Sequence, residues 1–96
     1  MTSDLVPAIE ELLRRTEAAH GAYEATQLNG IYDQDWPRWY AEYVVGHGIG
    51  DLLGRAVTAD ELARFLVRKW EELQEGNARQ AEPWSVYTAR QIVAEL

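Results

Sequence analysis

The chain has 96 residues, of which 47% are hydrophobic and 26% charged, so it can form one hydrophobic core and is too short for two. Its formal net charge of -7 opposes binding to nucleic acid or to an anionic membrane, because both present negative phosphates. It contains no cysteine, which excludes disulfides, thiolate metal sites and a cysteine nucleophile.

The first predicted helix runs from about Asp4 to Leu28. One face of it carries residues that recur at steps of three and four, the spacing of a helical stripe. They are Leu5, Ile9, Leu12, Leu13, Thr16, His20 and Tyr23. Pro7 fits the first turn, where a backbone N–H has no partner inside the helix. Asn29 and Gly30 predict its end, because both residues readily adopt the left-handed terminal conformation.

A connector, Ile31 to Asp35, leads into the second predicted helix, which has Pro37 in its opening turn. We expect the Asp35 side chain to cap this helix. One broad face of the helix is mostly aromatic. It consists of Trp36, Trp39, Tyr40, Tyr43, Val44 and His47. Glycines at positions 46, 48 and 50 predict the end of the helix, and Asp51 to Arg55 is expected to form a short further turn.

Thr58 to Glu61 is a capping-box sequence, in which the hydroxyl and the carboxylate each bind a backbone N–H at the start of a helix. The helix that follows has a clear apolar stripe. Its members are Leu62, Phe65, Leu66, Trp70 and Leu73. Gly76-Asn77 is expected to end this helix, and after a loop that reaches Glu82 the last helix begins at Pro83 and reaches Leu96.

The sequence shows no strict alternation typical of strands, so it predicts an all-α fold. Four principal helices with short connections indicate a compact bundle, with a short extra turn after the glycine-rich segment and neighbours largely antiparallel. We expect a single domain over residues 1–96. The first residues lack a basic and apolar leader and no run is long enough to span a bilayer, so we expect a cytoplasmic location.

The two histidines both fall on predicted apolar faces, and each has a carboxylate four residues later. Glu24 follows His20 and Asp51 follows His47, a spacing that lets an imidazole nitrogen and a carboxylate oxygen bind one metal ion. These four side chains are therefore candidate metal ligands. An antiparallel helix pair opposes their convergence, because it separates the histidines unless a dimer brings them together. We favour the alternative that each histidine bonds a neighbouring polar group at the edge of the core.

The aromatic stretch of the second helix supplies candidate residues for a ligand site or a protein interface. They are Trp36, Arg38, Trp39, Tyr40 and Tyr43. Trp and Tyr are enriched as anchors in interfaces, but at helical spacing they also commonly fill a core. We expect the rings of Trp36, Tyr40 and Tyr43 to face inward together with His47. Trp39 and Arg38 are expected at the margin of that face. Glu42, four residues after Arg38, is its expected partner.

The chain resembles a family of small bacterial all-helical proteins over two stretches, Ala18-Ala-His-Gly-Ala-Tyr-Glu24 and Gly30-Ile-Tyr-Asp-Gln-Asp-Trp-Pro-Arg-Trp-Tyr-Ala-Glu-Tyr43. The resemblance implies a bacterial source and a helical fold. It implies no activity and assigns no catalytic residue.

Two functions follow as hypotheses. The first is a helical protein-interaction module without catalysis, forming a homodimer, because four Trp, five Tyr and one Phe are difficult to bury completely in one small core. The alternative is a protein that binds a small molecule or a metal ion, and this alternative includes an enzyme. Its site would lie near His20, Glu24, His47 and the aromatic second helix.

Overall fold

The computed structural model describes residues 5–75 and 83–96, and its regular structure within these ranges is five helices. They are α1 (Leu5–Gln27), α2 (Trp36–Gly46), α3 (Ile49–Leu53), α4 (Ala59–Glu75) and α5 (Trp84–Glu95). The prediction of a compact all-α bundle of four principal helices with a short extra turn is confirmed. The predicted features at Asp4, at Gly76-Asn77 and in the loop to Glu82 lie outside the described residues. In the described ranges no helix combines the length and the apolar character needed to cross a bilayer.

The core forms where α1 packs against α5 and α2, and where α2 packs against α4. Aliphatic side chains from all five helices fill it. The fully buried ones include Ile9, Leu13, Val44, Ile49, Leu62, Leu66 and Ile92. Complete burial of one such side chain stabilises a fold by about 1.5–3 kcal/mol, so the predicted stripes of α1 and α4 account for much of the packing.

α1 and α2 are antiparallel. His20, in the second half of α1, contacts the ring of Trp39 near the start of α2, whereas the earlier Leu12 lines the same hollow as His47 at the end of α2. The chain reverses between the helices through Asn29-Gly30, whose φ angles of 55° and 80° are left-handed. Asn and Gly tolerate this conformation better than other residues, which explains the predicted helix end.

α4 buries the predicted apolar stripe with one difference, which concerns the adjacent residues Lys69 and Trp70. Trp70, predicted in the apolar stripe, is 38% exposed, whereas Lys69 is only 6% exposed. Positions 62, 66, 69 and 73 follow one another at steps of four, three and four, which places Lys69 at the centre of the buried face and Trp70 at its margin. Burial of the Lys69 ammonium is tolerated because Glu72 and Glu95 both accept its hydrogen bonds.

The start of α4 uses one half of the predicted capping box. The Thr58 hydroxyl accepts a hydrogen bond from the N–H of Glu61 at 3.0 Å, as predicted. The carboxylate of Glu61 turns instead to Arg55, whose Nη2 lies 2.9 Å from Glu61 Oε2. An ion pair with the preceding loop therefore replaces the reciprocal hydrogen bond.

Candidate functional site

The aromatic and imidazole side chains of α1, α2, α4 and α5 form one continuous cluster with Tyr40 near its centre. The centroid of the Tyr40 ring lies 4.9 Å from that of His20, 5.1 Å from Trp36 and 5.6 Å from Trp84. The members are His20, Tyr23, Trp36, Trp39, Tyr40, Tyr43, His47, Trp70 and Trp84. Most neighbours meet edge to face, the arrangement that ring quadrupoles favour.

One side of this cluster opens into a pocket of about 280 Å³, which we call the aromatic pocket. The described residues that line it are Glu17, Tyr32, Trp36, Tyr40, Trp70 and Trp84. The lining comes from α1, the α1–α2 connector, α2, α4 and α5. The plane of Trp36 makes angles of 81° with Trp70 and 83° with Trp84, so these rings stand as walls meeting at a corner.

The charged groups that act on the aromatic pocket are mainly carboxylates. Burial raises the pKa of Tyr40 to about 12, and the charges of Glu17 and Glu24 contribute to the rise. The phenol therefore keeps its proton at neutral pH and can donate a hydrogen bond. Burial also raises the pKa of the Glu17 carboxyl, while the nearby charge of Arg14 opposes that rise. Among the described residues, Glu17 is the one charged residue in the lining.

His20 lies behind the pocket and is only 6% exposed. Its Nε2 lies 2.9 Å from Asp33 Oδ2, and the backbone N–H of Asp33 donates to Glu24 Oε2, also at 2.9 Å. Asp33 Oδ1 accepts a hydrogen bond from the N–H of Asp35 at 2.9 Å. We call these three hydrogen bonds the connector tie, because two of them fasten the α1–α2 connector onto α1 and the third lies within the connector.

The connector tie corrects the predicted role of Asp35. The Asp35 side chain makes no capping hydrogen bond to α2, and its backbone (φ -101°, ψ 27°) is not in the extended conformation of a side-chain cap. Asp33 does the side-chain bonding, because its two oxygens meet two donors, the ring of His20 and the N–H two residues ahead.

The four candidate metal ligands do not come together. His20 and Glu24 belong to the connector tie, whereas His47 and Asp51 line a separate hollow of about 360 Å³ at the far end of α2. Rings of α2 lie between the two histidines. Within the part of the chain that the structure describes, no group of three or more His, Cys, Asp or Glu side chains could hold a metal ion.

His47 is exposed, so the expectation that it faces inward with the rings of α2 is wrong. Its ring stacks on Tyr43 with the centroids 3.9 Å apart, and its Nδ1–H donates to the Tyr43 carbonyl at 2.7 Å. His47 follows the last helical residue, and its φ of -111° turns it off the helical face. The fully buried side chains of α2 are Ala41 and Val44, with the aromatic rings half-buried around them.

The two residues expected at the margin of α2 lie in different surroundings. Arg38 is exposed, and its Nη2 binds Asp60 Oδ1 of α4 at 3.1 Å instead of its predicted partner Glu42. Trp39 is half-buried between α1 and α2, with its ring centroid 4.9 Å from that of His20. Neither residue lines the aromatic pocket.

Sequence reasoning identifies two of the pocket residues, Trp36 and Tyr40, and misses the rest. Trp70 offered a signal, because it belongs to the predicted apolar stripe of α4, and in the fold it packs against Trp36 of α2. The others, Glu17, Tyr32 and Trp84, have no spacing rule that brings them together, since they come from separate segments.

A larger hollow, of about 470 Å³, lies over the glycine-rich segment. Its lining includes Asp51 and Arg55, but Arg55 is already paired with Glu61, and no aromatic ring contributes. The aromatic pocket is therefore the better candidate site.

Comparison of the chain with models of protein families, with curated proteins and with solved structures gives no match. The fold and the site define a small all-α protein with an aromatic-walled pocket.

Proposed function

We propose that the protein binds a small molecule in the aromatic pocket. The observation that carries this proposal is the lining itself, to which the part of the chain that the structure describes contributes five aromatic side chains and one carboxylate around about 280 Å³. Ligand sites are typically concave and mostly apolar or aromatic, with a few polar groups that orient the ligand. The Tyr40 hydroxyl and the Glu17 carboxylate would provide that orientation.

The placement of the rings supports a binding site over a purely structural cluster. Trp36, Tyr40 and Trp84 are half-buried and pack mutually edge to face, while Trp70 remains 38% exposed beside Trp36. A cluster serving the core alone would gain more stabilisation by burying these large rings completely. Here they surround an open space.

The indole N–H signals in a nitrogen–proton correlation NMR spectrum test this proposal. The chain has four tryptophans, of which Trp36, Trp70 and Trp84 line the aromatic pocket and Trp39 serves as an internal control. Members of a library of small charged and neutral compounds should shift the three pocket signals more than that of Trp39. The proposal would be contradicted if every compound that binds shifts all four indole signals equally. It would also be contradicted if no compound shifts the signals of Trp36, Trp70 and Trp84.

A matched pair of variants provides a second test of the same site. Trp84→Leu should weaken binding of any hit by roughly tenfold or more, since a central aromatic anchor commonly contributes over 1.4 kcal/mol. Trp39→Phe replaces the indole of the same cluster by a smaller ring outside the pocket and should leave the affinity unchanged. Equal losses in both variants would point to a general loosening of the fold.

The second candidate is the homodimeric interaction module predicted from the sequence. The observation that favours it is the exposure of two large apolar side chains on the α1–α2 connector, Ile31 at 67% and Tyr32 at 66%. Sedimentation equilibrium should then give a dimer that Ile31→Ser converts to monomer, and a concentration-independent monomer of the unaltered chain would exclude this candidate. The bacterial source and the cytoplasmic location stay predictions from the sequence.

A further inference from the structure

The walls of the aromatic pocket have the geometry of a cage for a positive charge. The ring planes of Tyr40 and Trp84 meet at 82°, and Trp36 meets Tyr40 at 71°. Rings that stand at near right angles around one space can present electron-rich faces as well as edges to a molecule inside it. A cation within about 6 Å of such faces is attracted by each ring, most strongly by Trp.

The charges around the pocket also favour a cation. Glu17 lies in the lining, and the charges of Glu17 and Glu24 act on the Tyr40 hydroxyl. Within residues 5–75 and 83–96, no Lys, Arg or His side chain lines the pocket and would attract an anion. Arg14, the cation that acts on Glu17, is itself held by two other glutamates at 2.7 and 2.9 Å. The chain as a whole carries a formal charge of -7.

We infer that the ligand of the aromatic pocket is a small free organic cation carrying a methylated ammonium group, with Glu17 as its counter-ion. This inference rests on the proposed function. A volume of about 280 Å³ is near the lower end of ligand sites, which suits a single head group. A methylated ammonium presents its charge through apolar methyl groups and lacks the strong hydration of a bare ammonium, so aromatic walls can surround it.

The decisive comparison is between choline and its neutral carbon isostere, in which the quaternary nitrogen is replaced by carbon. The two molecules have the same shape and differ in charge. Titration of the indole N–H signals should give a dissociation constant for choline roughly tenfold or more below that of the isostere. Tetramethylammonium should shift the same three indole signals of Trp36, Trp70 and Trp84.

Substitution of the counter-ion separates charge from shape. Glu17→Gln should weaken choline binding by roughly three- to tenfold and leave the isostere unaffected, because only the cation interacts with the carboxylate. Glu42→Gln, an exposed change on α2 outside the pocket, is the matched control and should alter neither affinity. Far-UV circular dichroism on each variant checks that the fold is retained.

The outcomes distinguish this inference from the proposed function. Equal affinity for choline and the isostere would overturn the cation and keep the pocket as a small-molecule site. If neither choline nor the isostere binds, while other compounds shift the indole signals of the pocket, the cation would likewise be overturned and the pocket kept as a small-molecule site. A peptide with a trimethylated lysine that binds at least roughly tenfold more tightly than choline would overturn the assignment to a free small molecule. Failure of every compound would overturn both proposals.

Discussion

Removing the carboxylate of Asp33, as in Asp33→Ala, should break two of the three hydrogen bonds of the connector tie and destabilise the fold by about 2 kcal/mol. The His20 side chain is 7% exposed, and its Nε2 carries the hydrogen because the carboxylate 2.9 Å away can only accept. Without that acceptor the N–H is left buried and unpaired, which costs about 1–3 kcal/mol. The N–H of Asp35 loses a partner as well, but water replaces it at an exposed position.

A double-mutant cycle isolates the hydrogen bond from the packing. His20→Phe keeps a ring against Trp39 and Tyr40, whose centroids both lie 4.9 Å from that of His20, while it removes the N–H. Combined with Asp33→Ala, it should cost less than the sum of the two single changes, by about 1–2 kcal/mol. Asp33→Asn is a milder control, because it keeps one oxygen as an acceptor.

Urea unfolding followed by tryptophan fluorescence and far-UV circular dichroism measures these free energies. In a domain of this length about 1 kcal/mol corresponds to about 4–8 °C in the melting temperature, so Asp33→Ala should lower it by about 8–16 °C. A coupling energy below about 0.5 kcal/mol would refute the tie, since changes at independent sites add within about 0.3–0.5 kcal/mol.

Two further predictions concern α3 and α4. Lys69→Met should destabilise the protein by about 1–2 kcal/mol at neutral pH, by removing the ammonium that Glu95 binds. The hydrogen bond to Glu95 raises the pKa of Lys69 above 10.5, so this stabilisation is full below pH 10.5 and is lost as the pH rises through the folded-state pKa. Unfolding free energies at neutral pH and at about pH 11.5 should show the difference between the two proteins shrinking, and a constant difference would contradict this. Gly50→Ala should destabilise by about 1–3 kcal/mol, because its Cβ would lie 2.9 Å from the backbone oxygen of Arg55. Gly46→Ala meets no atom within 4 Å and should be neutral or stabilising, so equal melting temperatures for the two alanine variants would refute the steric argument.

The sequence predicts the helices well because their determinants are local. Asn29 and Gly30 end α1, and the Thr58 hydroxyl marks the start of α4 through a hydrogen bond within one helical turn. Even Thr16, a polar residue in the stripe of α1, is buried as the periodicity implies. Its hydroxyl donates to the carbonyl of Leu12 at 2.7 Å, which satisfies it inside the same helix.

The candidate site is less predictable because its determinants are not local. The bond between His20 and Asp33 joins residues 13 apart, across a reversal of the chain, and no periodicity encodes that distance. Sequence spacing placed Glu24 one helical turn from His20, as a candidate second ligand to the same metal ion. In the fold Glu24 accepts a hydrogen bond from the backbone of Asp33, so both carboxylates take part in the same tie by different routes.

The same histidine links the tie to the aromatic pocket. On one side His20 bonds Asp33, the residue after Tyr32, and on the other its ring packs against Tyr40. Tyr32 and Tyr40 are both walls of the pocket, so a single buried imidazole positions two of them. Loss of the tie should therefore weaken ligand binding as well as stability, although no atom of His20 lines the pocket.

The carboxylates of Asp33, in the connector tie, and of Glu17, in the aromatic pocket, differ in the partners that balance their charge. The Asp33 side chain is 12% exposed and its charge is matched by donors on both oxygens, which is how a buried acid serves structure. Glu17 faces aromatic rings, and no salt bridge joins it to a cation within the described ranges. Glu17 is exposed, and apart from the nearby charge of Arg14 it has no ion-pair partner in the described ranges. Its carboxylate beside electron-rich walls can therefore pair with a cation from outside, and this contrast is the physical reason to expect the ligand at Glu17.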